Sequence, residues 1–249
     1  MIFKKMLSRE WGFTTLLVIL GAALCIRLGI WQLDRLDQRR TFNAHVESMW
    51  AAPTITIPDE LMDFSFETME YRSIQAQGEY DYDSQVALRN QYMEDLYGYH
   101  LLTPLVIGEG IAVIIDRGWI PAEGNDNPDD WDIYDSVDGI VNLAGIIRQG
   151  QEKPDIGGRP DPTLGPNQSS LNFWNNVNLD RIADQMPYKL LNIYIQIDPI
   201  EGQENPPIPY QPEIELSEGP HLGYAGQWFT FAAILFFGYP FFIRKRENL

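Results

Sequence analysis

Of the side chains that most often ligate metals or act as nucleophiles, this 249-residue chain offers three histidines, His45, His100 and His221, and one cysteine, Cys25. No two histidines stand at i, i+3 or i+4, so no preformed zinc pattern exists. A Gly-x-Ser-x-Gly elbow, a phosphate loop and a dinucleotide fingerprint are absent from the sequence. A lone cysteine excludes the Cys pairs of a thiol oxidoreductase or a thiolate copper carrier, and it permits no internal disulfide. The run Asp116-Arg117-Gly118-Trp119-Ile120-Pro121 holds a charged pair, a Gly and a Trp. It reads as a structural corner at a strand terminus, with Arg117 paired to an acid or stacked on Trp119. An exported enzyme working through Asp116 or His100 is the competing reading, and no catalytic residue is assigned. Asp126, Asp129, Asp130, Asp132 and Asp135 lack calcium-loop spacing and read as a solvated tip.

Two apolar stretches must position whatever chemistry remains. Residues 13–33 and 224–243 each match the roughly 20 residues that cross a hydrocarbon core. The first is longer than a signal-peptide core and no small-x-small cleavage site follows it, so it is read as retained. Arg244-Lys245-Arg246 follows the second directly, and no Lys or Arg lies between Lys189 and that stretch. Both termini are therefore expected on the cytoplasmic side of a multi-pass membrane protein. Residues 34–223 then lie outside, carrying 11 basic against 33 acidic residues, a net of −22. Together with the whole chain's −17, this argues against nucleic acid as a partner. The twelve residues before the first span are too few for an organelle transit peptide, which points to a bacterial inner membrane.

His221 stands three residues before the second span, at the outer surface. Its imidazole is either a solvated polar group or a ligand for an iron centre between helix ends. Tyr224 and Trp228 read as an aromatic belt or as the wall of a porphyrin site. Arg27, roughly 9 Å inside the outer end of the first span at ~1.5 Å per residue, either snorkels to lipid phosphates or pairs with a ligand carboxylate such as a haem propionate.

The expected layout is a tail (1–12), a first transmembrane helix (13–33), a helical stalk (34–52) that Pro53 ends, and an extracytoplasmic β-rich domain (53–198). A Pro-rich return segment (199–223), a second transmembrane helix (224–243) and a tail (244–249) complete it. Strands are expected at 73–80, 86–90, 111–116, 140–147 and 193–197, from alternation or continuous β-branched runs. Leu179, Ile182, Ala183 and Met186 have helical spacing, with Asn178 as N-cap and Pro187 as stop. The fold class is membrane α+β, with two terminal transmembrane helices flanking one mainly antiparallel β domain.

Five segments resemble the Surfeit-locus protein 1 family of cytochrome oxidase assembly factors. They are Gly29-Ile30-Trp31-Gln32-Leu33-Asp34-Arg35-Leu36, Gly78-Glu79-Tyr80, Gly98-Tyr99-His100-Leu101-Leu102-Thr103-Pro104-Leu105, Asp116-Arg117-Gly118-Trp119-Ile120-Pro121 and His221-Leu222-Gly223-Tyr224-Ala225-Gly226-Gln227-Trp228-Phe229. The resemblance implies a non-enzymatic role: helping haem a reach, or stay in, the catalytic subunit of a haem-copper terminal oxidase. In that family the His opening the second membrane helix is associated with haem binding, and His221 holds that position. The resulting candidate cofactor set is His221 as iron ligand, with Arg27, Trp31, Tyr224 and Trp228 around a transiently held haem a. Implied partners are the oxidase catalytic subunit, haem a synthase and the lipid bilayer. The alternative is a membrane-anchored scaffold that steadies the oxidase subunit without touching haem.

Overall fold

An apolar, Pro-free sequence from Gly12 to Ala51 forms one uninterrupted 40-residue helix, α2, after a short α1 (Ile2–Met6). The computed structural model describes residues 2–59, 65–108, 110–135, 138–165 and 168–247. Parts of the two expected loops, residues 136–137 and 166–167, lie outside the described residues, as do 60–64 at the start of the β-rich region, Glu109, and the chain ends 1 and 248–249. The chain divides into two units, Met1–His45 with Ile214–Leu249, and Val46–Glu213.

In the first unit, α2 hides Thr15, Val18, Ala22, Cys25, Gly29, Gln32, Leu36, Arg39 and Asn43 wholly or partly, in strictly alternating steps of three and four residues. The second helical segment follows the same rule through His221, Ala225, Trp228, Ala232, Leu235 and Tyr239. A 3-4 spacing on both helices is the pattern of a left-handed coiled-coil seam. The pairing is antiparallel: the Thr15 hydroxyl lies 2.7 Å from that of Tyr239, and Gly29 meets Phe229. A Cβ on Gly29 would stand 2.7 Å from the Phe229 ring, so Gly lets the ring lie directly on the α2 backbone. The second segment comprises α4 (His221–Ala233), a π-helical turn (Ile234–Gly238) and α5 (Tyr239–Glu247). The π turn ends two residues before Pro240, whose nitrogen cannot donate to the preceding turn. Both segments are long and apolar enough to cross a membrane.

The second unit is built from β1 (Ile55–Ile57), β2 (Ser73–Tyr80), β3 (Val86–Met93), β4 (Leu96–Gly108), β5 (Ile111–Pro121), β6 (Ile140–Arg148), β7 (Phe173–Trp174), α3 (Leu179–Ala183) and β8 (Lys189–Ile197). The strand order is β1-β2-β6-β8-β5-β4-β3-β7, and an additional β2–β4 pairing closes β2, β6, β8, β5 and β4 into a ring. The described sheet is mainly antiparallel, as expected, but it is mixed. β1–β2, β3–β7 and β5–β8 are parallel, because long excursions rather than tight turns join those partners.

Along β5, Val113 and Ile115 point into the core inside the ring, while Ala112 and Ile114 join a second core that α3 covers. Burial on both faces explains its unbroken apolar run. α3 ends at Ala183, earlier than the spacing to Met186 implies, with the Asn178 side chain accepting the Arg181 N–H as its cap. β4, the longest strand, is not among the expected ones, because Gly98 and Pro104 interrupt its pattern. Pro104 falls in the gap between two partners on the same edge, β3 up to Leu102 and β2 from Leu105, where a missing N–H is least costly.

Candidate functional site

His221 is the first residue of α4, and the segment before it is held on α2 by side chains. The Arg39 guanidinium donates to the Ser217 and Glu215 carbonyls at 2.9 and 2.6 Å, and the Asn43 amide donates to the Leu216 carbonyl at 2.7 Å. Arg40 grips Glu218 through two hydrogen bonds of 2.8 and 2.9 Å. That hydrogen-bonded ion pair holds the Glu218 carboxyl below its ordinary range and raises the guanidinium. The return segment thus delivers His221 opposite Gln32, with Nδ1 2.8 Å from the Gln32 Oε1. Where Nδ1 is the donor in this contact, Nε2 is the ring nitrogen left for a ligand. Metal-ligating histidines are oriented by the same kind of second hydrogen bond.

Trp228 lies two turns along the same seam as His221, and Phe229 covers Gly29 beside it. Tyr224 flanks the seam and is 47% exposed. Trp31 faces away from it and carries the Arg35 guanidinium 5.6 Å over its ring. At about 3.6 residues per turn, Arg27 points nearly opposite the seam, and it is exposed. The helix pairing therefore groups His221 and Trp228, sets Tyr224 at the border, and leaves Arg27 and Trp31 outside. Gln32 and Phe229 were missed in the sequence. The signal for Gln32 was its place three residues after Gly29 and four before Leu36. Among the described residues no cluster of three or more His, Cys, Asp and Glu side chains could hold a metal ion.

A second polar constellation is buried between β4 and β5. Asp116 is not at a strand terminus: β5 continues to Pro121 through a bulge at Gly118, correcting the expected corner. The Asp116 carboxylate accepts from His100 Nδ1 at 3.0 Å, from the Gln196 amide at 3.4 Å and from the Gly118 N–H at 3.0 Å. Burial by itself would lower the His100 pKa, but the charge and hydrogen bond of Asp116 reverse this and raise it. His100 and Asp116 thus join β4 to β5 through a buried side-chain contact.

Arg117 does not stack on Trp119. Its guanidinium donates to the Tyr134 carbonyl, lies 3.6 Å from Asp135 and sits over the Tyr80 and Tyr82 rings at 5.4 and 5.0 Å. In the acidic segment Asp126, Asp129 and Asp132 are exposed, as expected of a solvated tip, while Asp130 and Asp135 are half-buried. Its 3-10 helix Pro128–Tyr134 plugs Trp131 and Tyr134 into a third core with Tyr99, Leu101 and Ile120, and burial pushes the Asp135 carboxyl up despite Gln85 and Arg117. Gly118, at φ +114°, leaves room for Ile208 of the return segment, which exchanges two backbone hydrogen bonds of 2.8 and 2.9 Å with Trp119.

With this geometry in view, comparison with known proteins is informative. The family model described as SURF1 family matches residues 19–233. A SURF1-like protein of Caenorhabditis briggsae is 24% identical, covering 93% of this chain and 75% of its own length. Surfeit locus protein 1 of Mus musculus is 24% identical, with 94% and 77% covered. A SURF1-like protein of the bacterium Rickettsia conorii is 25% identical, with 93% and 92% covered.

Proposed function

This chain belongs to the SURF1 family, and we propose that it is a non-catalytic, membrane-anchored assembly factor for a haem-copper, cytochrome c type terminal oxidase. In this reading it helps haem a reach, or stay in, the catalytic subunit as that subunit matures, and it receives its cargo from haem a synthase. Both termini lie in the cytoplasm of a bacterial cell and the β domain lies outside.

The observation that carries the reading is the His221–Gln32 contact, an imidazole fixed at one nitrogen and free to ligate at the other. The residues fit the group: His221, half-buried, would be the iron ligand, and Trp228, Ala225 and Phe229 would supply an apolar wall on the same helix. When bound, haem a would supply an iron that takes one imidazole as a ligand. Gln32 would orient the ring through Nδ1, leaving Nε2 to face the iron. The seam below His221 offers low-dielectric packing to an apolar macrocycle and tail, while the return segment keeps the polar edge in reach of solvent.

The test is absorbance of the purified full-length protein from cells with and without haem a synthesis, for wild type and His221→Ala. A haem band that depends on both haem a synthesis and His221 supports the reading. No band in wild type, with oxidase maturation intact in His221→Ala, replaces it with a scaffold that never touches haem.

A further inference from the structure

The outer edge of β3 is only half covered. β7 pairs with Ala87 and Leu88 and then leaves, its continuation at Asn175 meeting β3 again only through the Asn90 side chain. The β4 pairing breaks at a bulge over Arg89 and Asn90, where Asn90 takes a φ of +63°, and resumes from Gln91 to Met93, while no backbone–backbone hydrogen bond reaches the other edge of these residues among the described residues. An unpaired edge of this kind is a template for another strand. It does not face open solvent. It forms one wall of a cleft of about 710 Å³, whose far wall is the loop around Gly157, Gly158 and Arg159.

The charge of this cleft runs against that of its domain. Residues 46–213 carry 8 Lys and Arg against 29 Asp and Glu. Arg117, Arg148 and Arg181 each lie within ion-pair distance of a carboxylate. Arg89 and Arg159 have none among the described residues, and both line this cleft. Arg89 lies over the Phe173 ring at 4.6 Å, which aims its guanidinium without neutralising it. The carboxylate in the cleft, Asp155, accepts a hydrogen bond from the Gln151 amide instead. Two guanidiniums left without carboxylates, in a domain with a large excess of them, mark a place where carboxylates from elsewhere are received. The domain's overall repulsion of such a partner is screened beyond about 8 Å at physiological salt, so the local arginines decide at contact.

We propose that this cleft binds an extended, acidic segment of a partner polypeptide, which adds as a strand to the Gln91–Met93 edge of β3 beyond the bulge and places its carboxylates on Arg89 and Arg159. Main-chain hydrogen bonds give the affinity and the two arginines select acidic side chains, the division of labour general to strand addition. This does not rest on haem binding.

The probe is a dye-labelled acetyl-Val-Glu-Val-Glu-Val-Glu-amide peptide, titrated against the full-length protein in detergent by fluorescence anisotropy. Its Gln-for-Glu analogue and two versions N-methylated at alternate residues serve as comparisons. The acidic peptide should bind at least about tenfold tighter than the Gln analogue, and Arg159→Gln, an exposed site, should remove most of that preference. Arg89→Gln should do the same, with circular dichroism checking the fold. One N-methylated version should lose binding and the other keep it, because only alternate residues of an added strand face β3. Equal binding of acidic and Gln peptides, no response to Arg159→Gln, or indifference to both methylation patterns would each overturn the proposal. The last outcome would reduce the cleft to a simple anion site.

Discussion

Gln32 and His221, 189 positions apart in the chain, meet through a 2.8 Å hydrogen bond on the seam of the helix pair. One belongs to the motif around the end of the first apolar stretch, the other opens the second. If His221 is the haem ligand, Gln32→Leu should leave the ligand in place but loosen it by about tenfold or more, since outer partners of ligating histidines carry that much affinity. Haem titration of the purified variant, beside His221→Ala with no titratable band, checks this order. Equal affinity in Gln32→Leu and wild type would remove Gln32 from the site.

Gly29 should be intolerant of size. Its place against the Phe229 ring means that Gly29→Leu must push that ring aside or spread the two helices just below His221. Overpacking of this kind typically costs about 1–3 kcal/mol. Thermal unfolding in detergent should show the loss, and a cysteine cross-link engineered between the helices should form more slowly.

A matching test exists in the β domain. Gly118→Ala meets both a left-handed φ of +114° and the Ile208 carbonyl 2.2 Å from the new Cβ. Strain at such a position costs about 1–3 kcal/mol before any clash is counted. The variant should lose amide-exchange protection first at the Trp119–Ile208 bridge, detaching the return segment from β5.

His100 should make stability depend on pH in one direction. Its folded pKa is raised above the ordinary value near 6.5, so the His100–Asp116 contribution is full below that value. It is lost as pH rises through the raised folded value. The melting temperature should therefore fall from about pH 6 to pH 8.5 by more in wild type than in His100→Gln. A steeper fall in the variant would contradict the assignment.

The membrane topology is open to labelling. A cysteine at the exposed Ile140 of the β domain should react with an impermeant maleimide in intact cells, and one at Leu7 only after permeabilisation. Cys25, within the apolar stretch, should stay unlabelled in both. Reaction of the Leu7 probe in intact cells would reverse the proposed orientation.

Which features could be read before any coordinates follows from how far each signal reaches along the chain. The two apolar helices, the alternation of β2 and the unbroken run of β5 are local patterns, set by side-chain period and burial over a handful of residues. They were legible for that reason, as was His221 beside its helix. The strand β4 was not, because Gly98 and Pro104 are tolerated only by the close packing of Trp119 and by the gap between two partner strands.

Residue order by itself determined that two apolar helices flank a strongly acidic β domain, and which motifs mark its family. Tertiary structure alone decided that Gln32 turns toward His221 while Arg27 turns away, that His100 finds Asp116, and that Arg89 and Arg159 share one cleft. Helical and strand periods arise from backbone geometry and solvent, which every short segment carries within itself. The meeting of side chains from distant segments depends instead on which faces the whole chain can bury together, and that free energy exists only once the elements have packed.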